Sequence, residues 1–337
     1  MTDLLHEPLT TVVDRLRRRE LSPVELLEAT LSRIDARNEA LNAFVLLRDR
    51  DALRAEARAA ADRIARGEGR PLEGVPLGVK DLEDVEGLVT TYGSVPFRDH
   101  VAAWDSIQVE RLRAAGCLIV GKTNAPEFGW TALTKNLIFG DTRNPWNLAH
   151  TPGGSSGGSS AAIAGGLVTL ATASDGGGSV RLPATFTGCF GLKPSHGRIP
   201  HGPETHWVTV QTATHGPLTR TVEDAALHLD LVCGPHPLDP LSLPAPGFPY
   251  RERLRELPKS LRICFSPDLG YAVVQRDVAD VVADAVVVFE RLGHTVELVK
   301  GGPPEMGRDW GMVNVFDTLA RLHHLLPERE HAFGCTF

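Results

Sequence analysis

Two glycine–serine knots on either side of an apolar run constrain this chain more than any other feature. Residues 152–160 read PGGSSGGSS, residues 161–173 read AAIAGGLVTLATA, and residues 174–181 read SDGGGSVR. Gly and Ser alone make a flexible linker, because neither packs nor holds a conformation. A linker has no reason to enclose an apolar run. Buried, that run brings both knots to one place in a core. It is far shorter than the ~20 residues needed to cross a bilayer.

Several chemistries use glycine and serine this densely. A phosphate loop needs G-x-x-x-x-G-K-[ST], and Lys122 and Thr123 in VGKTN lack the leading glycines. No G-x-G-x-x-G follows a strand and opens a helix. A nucleophile elbow, G-x-S-x-G, is formally matched around Ser155 and Ser156, but AHTPGG rather than an apolar strand precedes it. A third chemistry pairs a nucleophilic serine with a lysine base, provided burial keeps the amine neutral.

Composition narrows the class. Across 337 residues, 42% are apolar and 23% charged, which suits a globular chain with a substantial core. The net charge of −7 argues against general affinity for nucleic acid or an anionic membrane. The five cysteines are scattered, with no C-x-x-C pair, so reduced thiols in a cytoplasm are expected. Cys189, in TGCFG, reads as a packing residue rather than a nucleophile. The start, MTDLLHEPL, has no basic-then-apolar pattern, so no signal peptide is expected. His201, His206, His323 and His324 form no ligand pattern, so no metal and no other cofactor is expected.

Periodicity supplies the outline. Leu9, Val12, Val13 and Leu16 recur at helical spacing. Ser22, Pro23 and Glu25 form a capping box opening a helix expected to bury Leu26, Leu27, Thr30 or Leu31, and Ile34. A third helix covers about Asp51 to Arg66. VPLGVKD then alternates as a strand with Lys80 at its end, Ser106 to Ala115 is helical, and CLIVGKTN is a buried strand. Further on, 221–233 is a capped helix, 261–266 a strand, Asp277 to Leu292 a helix and 294–299 a strand; 310–326 is helical. The alternation predicts an α/β fold with a mixed β-sheet core covered by helices on both faces. On these residues alone Lys80 is either a buried base or the partner of Asp81 or Asp84 in a surface ion pair.

The stretches GVPLGVKD (74–81), GKTNAPEFG (121–129), TPGGSSGGSSAA (151–162), SDGGGSVRLPA (174–184), GLKPSHGRI (191–199) and HGPLTRTVEDAAL (215–227) occur in that order. Together they resemble the amidase signature family over nearly the whole chain. The resemblance implies a Ser–cis-Ser–Lys triad: Ser179 as nucleophile, Ser155 as the bridging serine after a cis Gly154–Ser155 bond, and Lys80 as base. Ser156 is read as ordering the loop. Backbone N–H groups of Gly176, Gly177, Gly178 and Ser179 would receive the oxyanion of an attacked amide. Asp175 and Arg181 fall on positions read as support.

The resemblance also implies hydrolysis of a small-molecule amide through an acyl-enzyme, without cofactor. It leaves open a homodimer, and an A-type glutaminase subunit of an aminoacyl-tRNA amidotransferase with its partner. Two departures stand out. Gly176 replaces a usual Thr or Ile, and the family continues past the point where this sequence stops. One domain over 1–337 is expected: a helical region to about residue 70, a catalytic core over about 71–232 and an incomplete part over about 233–337. An inactive remnant is the reading that follows if the missing elements are essential. Phe97, Trp130 and Trp146 are candidates for the pocket wall, with packing as the plainer alternative.

Overall fold

A computed structural model describes residues 3–203 and 212–334. It divides into two compact units, one reaching Arg251 and resuming at Thr318, the other Glu252–Asp317.

The first unit is built on a six-stranded sheet. Its strands are β1 (Phe44–Leu47), β2 (Pro76–Lys80), β3 (Leu118–Thr123), β4 (Leu170–Ala171), β5 (Phe190–Gly191) and β6 (Leu218–Thr219), in the order β1-β3-β2-β4-β6-β5. β2 runs parallel to both β3 and β4, while β1 and β6 pair antiparallel with their neighbours. The sheet is therefore mixed, as the alternation predicts.

Its helices are α1 (Leu9–Arg17), α2 (Pro23–Leu41), α3 (Arg50–Ala65), α4 (Ile107–Ala114), α5 (Gly157–Ala164), α6 (Arg181–Thr187) and α7 (Val222–Val232). The α2 capping box forms: Ser22 Oγ accepts from the Val24 N–H at 3.2 Å and Glu25 Oε2 from the Ser22 N–H at 2.8 Å. One apolar cluster joins Leu77, Val79 and Ile119 to α1, α4 and α7. A second joins Leu118, Val120 and Leu218 to α2, α3 and α5. Adjacent residues of β3 thus serve different cores, which is what a sheet buried on both faces requires.

An irregularity in the β2–β3 register sets the site. Leu77 pairs with Ile119 but Gly78 pairs with Gly121, so Val120 is bypassed; Val79 then faces Lys122 and Lys80 faces Thr123. Paired residues share a face and neighbours alternate, so Lys80 and Lys122 issue on opposite sides of the sheet. Gly121 is obligatory here, since a Cβ would lie 2.0 Å from the Leu46 carbonyl oxygen.

In the second unit β7 (Arg262–Phe265) pairs parallel with β8 (Thr295–Leu298), joined by α8 (Arg276–Arg291). No residue of α8 is buried, and Val281 is 68% exposed.

Candidate active site

β2 ends on Lys80, whose side chain is wholly buried. Its Nζ donates to Ser155 Oγ and Ser156 Oγ, both at 2.8 Å, to Ser174 Oγ at 3.0 Å and to the Ser174 carbonyl at 3.3 Å. All four partners are neutral oxygens. Burial accordingly pulls Lys80 from its ordinary 10.5 down to about 7, against the charges of Glu83 and Asp175. The N-cap of α5 is Ser156, so the positive end of that helix also faces Nζ and disfavours an ammonium. Lys80 is therefore no surface ion pair. Asp81 turns instead to Thr91 and, at 3.5 Å, to Lys122.

The first knot is a close-approach segment. The Gly154–Ser155 bond is cis. A Cβ on Gly154 would lie 2.6 Å from the Thr131 carbonyl oxygen, and one on Gly158 2.2 Å from the Asn124 nitrogen. These glycines admit neighbouring backbone, which explains a linker-like composition inside a core.

The second knot is held by a carboxylate. Asp175 Oδ1 accepts the Gly178 N–H at 2.6 Å, Oδ2 the Val180 N–H at 3.2 Å, and Arg181 bonds both oxygens at 2.9 Å. Burial pushes the Asp175 carboxyl up, but Arg181 and these N–H groups outweigh it and hold it below its ordinary value. Of the N–H groups expected to receive an oxyanion, that of Gly178 donates to Asp175. Among the described residues the N–H groups of Gly177 and Ser179 make no hydrogen bond. Gly176 needs no glycine for steric reasons, since a Cβ there meets nothing closer than 3.7 Å.

Ser179 is half-buried, and its carbonyl accepts the Ser156 N–H at 3.2 Å, tying the two knots together. Its hydroxyl makes no hydrogen bond among the described residues, so Lys80 and Ser155 are joined while Ser179 Oγ stands apart. Catalytic hydrogen bonds commonly tighten only once substrate is bound.

Several roles were not visible in the sequence. Ser156 contacts Nζ as closely as Ser155 does, beyond ordering its loop, and Ser174 completes the cradle. A short antiparallel pairing of Ser174 with His215 brings that imidazole beside the site. Its Nδ1 lies 3.6 Å from Glu83 Oε2, and its ring stacks on His201 at 4.0 Å.

The remaining candidates fall elsewhere. Phe97 packs edge-on against Tyr92 and Phe128, at 5.6 and 5.9 Å, in a buried aromatic cluster that Trp130 also joins. Next to that cluster, a Cβ on Gly129 would lie 3.2 Å from Ser155 Oγ. Trp146 is 76% exposed, its indole donating to the Thr187 carbonyl. Burial raises the Cys189 thiol above its ordinary range, away from the reactive thiolate. His206 lies outside the described residues. Among those described, no three His, Cys, Asp or Glu side chains are grouped to hold a metal ion, and no helix is long and apolar enough to cross a membrane.

The fold places a buried lysine on two serines beside a glycine-rich loop. The chain belongs to the Amidase family, whose family model matches residues 25–325. It is 43% identical over 289 residues to an acylamidase of Rhodococcus erythropolis, covering 84% of this chain and 59% of that protein. It is 40% identical over 296 residues to the A-type subunit of the glutamyl-tRNA(Gln) amidotransferase from Thioalkalivibrio sulfidiphilus, covering 87% and 60%. Among solved structures, a bacterial aryl acylamidase of the amidase signature enzymes aligns with a TM-score of 0.88 at 32% identity, covering 98% of this chain and 70% of that one. A substrate complex of 6-aminohexanoate cyclic dimer hydrolase aligns with a TM-score of 0.87 at 32% identity, covering 98% and 70%. The chain thus spans about three fifths of the length of the curated relatives it matches.

Proposed function

We propose that the chain carries the catalytic apparatus of an amide hydrolase acting on a small-molecule amide in the cytoplasm. The observation that supports this best is the Lys80 Nζ: buried, 2.8 Å from Ser155 Oγ and, among the described residues, without a carboxylate contact. A neutral amine there keeps one lone pair, into which the Ser155 hydroxyl donates. Lys80 takes the Ser155 proton as Ser155 takes that of Ser179, and Ser179 Oγ attacks the amide carbon. Negative charge develops on the carbonyl oxygen, where the N–H groups of Gly177 and Ser179 stabilise it. Such a donor contributes about 3–4 kcal/mol to the transition state. The proton passes back to the leaving nitrogen, the C–N bond breaks, and water hydrolyses the Ser179 ester by the same relay in reverse.

The test is turnover of a panel of aryl and alkyl amides by the wild type against Ser179→Ala. Release of amine by the wild type alone is expected, and equal turnover by both would overturn the assignment.

The likeness to the A-type subunits of amidotransferases favours a second reading, in which the same serines release ammonia from glutamine for a partner protein. Glutaminase activity that appears only on adding that partner, with no turnover of other amides, would select it.

A further inference from the structure

Two residues before Gly129 lies a buried carboxylate that the reaction above does not use. Glu127 is 4% exposed. Its Oε1 accepts from Ser94 Oγ and its Oε2 from the Gly334 N–H, both at 2.7 Å. Both donors are neutral, and a carboxylate is costly to bury on neutral donors alone. What it spans accounts for its place. It ties residues 92–94 and 333–334 to the turn that Glu127 itself opens.

That turn, Glu127–Gly129, is strained. Phe128 has φ 49° and ψ 14°, a left-handed geometry that an aromatic residue keeps only where its surroundings enforce it. The Phe128 N–H donates to the Tyr92 carbonyl at 2.8 Å, and the Trp130 N–H closes the turn on the Glu127 carbonyl at 3.1 Å. The Phe128 ring packs against Phe97 at 5.9 Å and Phe333 at 6.2 Å. A Cβ on Gly93 would lie 2.9 Å from the Glu127 nitrogen, so the two segments meet backbone to backbone. The carboxylate fastens this arrangement from both sides, through Ser94 and through Gly334.

The far end of the turn reaches Ser155. Gly129, at φ +76°, sits between Leu82 and Ser155: a Cβ there would lie 2.8 Å from Leu82 Cδ1, 3.2 Å from Ser155 Oγ and 3.5 Å from Ser155 Cβ. A serine hydroxyl has three staggered positions. Gly129 packs against Ser155 in the one whose Oγ meets Lys80 Nζ at 2.8 Å.

We propose that Glu127 is a positioning residue for the reaction at Ser179: by holding the Phe128 turn, it keeps Gly129 against Ser155 and the Ser155 hydroxyl on Lys80. It acts through Gly129 and Ser155 and touches no reacting atom. Without the carboxylate the Phe128 turn relaxes toward ordinary backbone geometry, Gly129 withdraws, and Ser155 gains rotamers that miss Lys80. The three groups are then aligned for only a fraction of the time, so acylation slows while every site stays competent.

The inference rests on the roles proposed for Lys80, Ser155 and Ser179, and the experiment separates the two. Fluorophosphonate labelling of Ser179 is followed to completion in the wild type, Glu127→Ala, Glu127→Gln, Ser155→Ala and the Glu127→Ala, Ser155→Ala double variant. Rate constant and final stoichiometry are read separately. Glu127→Ala is expected to lower the rate constant roughly 10- to 100-fold at full stoichiometry. Glu127→Gln, whose amide oxygen can accept the Gly334 N–H while its NH2 donates to Ser94 Oγ, restores most of the rate. In Ser155→Ala no hydroxyl remains to be confined, so adding Glu127→Ala changes the rate by less than about 2-fold. An unchanged rate in a cooperatively melting Glu127→Ala, or an equal loss in both backgrounds, would overturn this inference alone. Should Glu127→Ala fail to melt cooperatively, Ser94→Ala, which removes one donor, decides in the same two backgrounds. A loss confined to the Ser155 background supports the proposal, and no loss or an equal loss overturns it. No Ser179 adduct on the folded wild type would remove both readings.

Discussion

Lys80 Nζ and Ser155 Oγ are 2.8 Å apart at the buried end of β2, and among the described residues the lysine has no counter-ion in hydrogen-bond contact. Two knots far apart in composition from any ordinary core converge there because the chain between them is buried. Under the proposed reaction, rate, stability and labelling are all expected to depend on that contact and on the loops around it.

The dependence of rate on pH comes first. Lys80 must be neutral to accept a proton, and burial brings its proton affinity down to about 7. Amide turnover is therefore expected to rise as pH passes through about 7 and then level. Lys80→Met should lower kcat/KM by roughly 10²- to 10⁴-fold. A flat profile from pH 5 to 9 would separate Lys80 from the chemistry.

The same burial predicts a stability signature. Between about 7 and 10.5 the unfolded chain holds a proton on Lys80 that the folded chain does not. Stability of the wild type therefore rises with pH across that window through this group. The cost of burying Lys80 is present in full below the window and gone above it. Lys80→Met lacks the term, so it should be the more stable protein at neutral pH, with an advantage that shrinks toward the alkaline end. Thermal melts of both at several pH values measure the difference.

Asp175 carries the opposite sign. Arg181 and three backbone N–H groups hold it below its ordinary 3.8, so its contribution is present above that pH and lost as pH falls through the lower folded value. Asp175→Asn removes the contribution at every pH and leaves Arg181 without its partner. We expect a lower melting temperature near neutrality, and slower acylation because the Gly177 and Ser179 donors are no longer fixed. Unchanged kinetics would show that the hole is organised by something else.

Glycines in the two knots should answer differently to substitution. A Cβ on Gly158 meets backbone at 2.2 and 2.5 Å, which cannot yield, so Gly158→Ala should destabilise by about 1–3 kcal/mol or more. Gly176→Ala meets only ordinary van der Waals contact, at 3.7 Å or more, and needs no positive φ, so it should stabilise by about 0.4–1 kcal/mol while keeping activity. Denaturant titrations of the two variants against the wild type test the contrast.

Local signals made much of this legible. The capping box at Ser22 and the strand ending on Lys80 follow from short patterns whose physics lies within a few residues. The sheet order does not, because β2 lies between β3 and β4 through packing that no short pattern encodes. At the site, the motif resemblance singled out Lys80, Ser155 and Ser179, and the structure places Lys80 Nζ on Ser155 Oγ with Ser179 in the adjoining loop. The resemblance carried no sign that the Gly178 N–H donates to Asp175, because that depends on how Asp175 folds back on its own loop. The Glu83–His215 approach was invisible for a different reason. The two residues lie far apart in sequence and meet only once β2 and the Thr214–His215 strand are in place.

The most direct test is to treat the folded protein with a fluorophosphonate and locate the added mass by peptide mapping. A single adduct on Ser179 is expected, absent in Ser179→Ala and formed roughly 10²-fold or more slowly in Lys80→Met. An adduct on Ser155 or Ser156 that persists in Ser179→Ala, or labelling of Lys80→Met at the wild-type rate, would contradict the account.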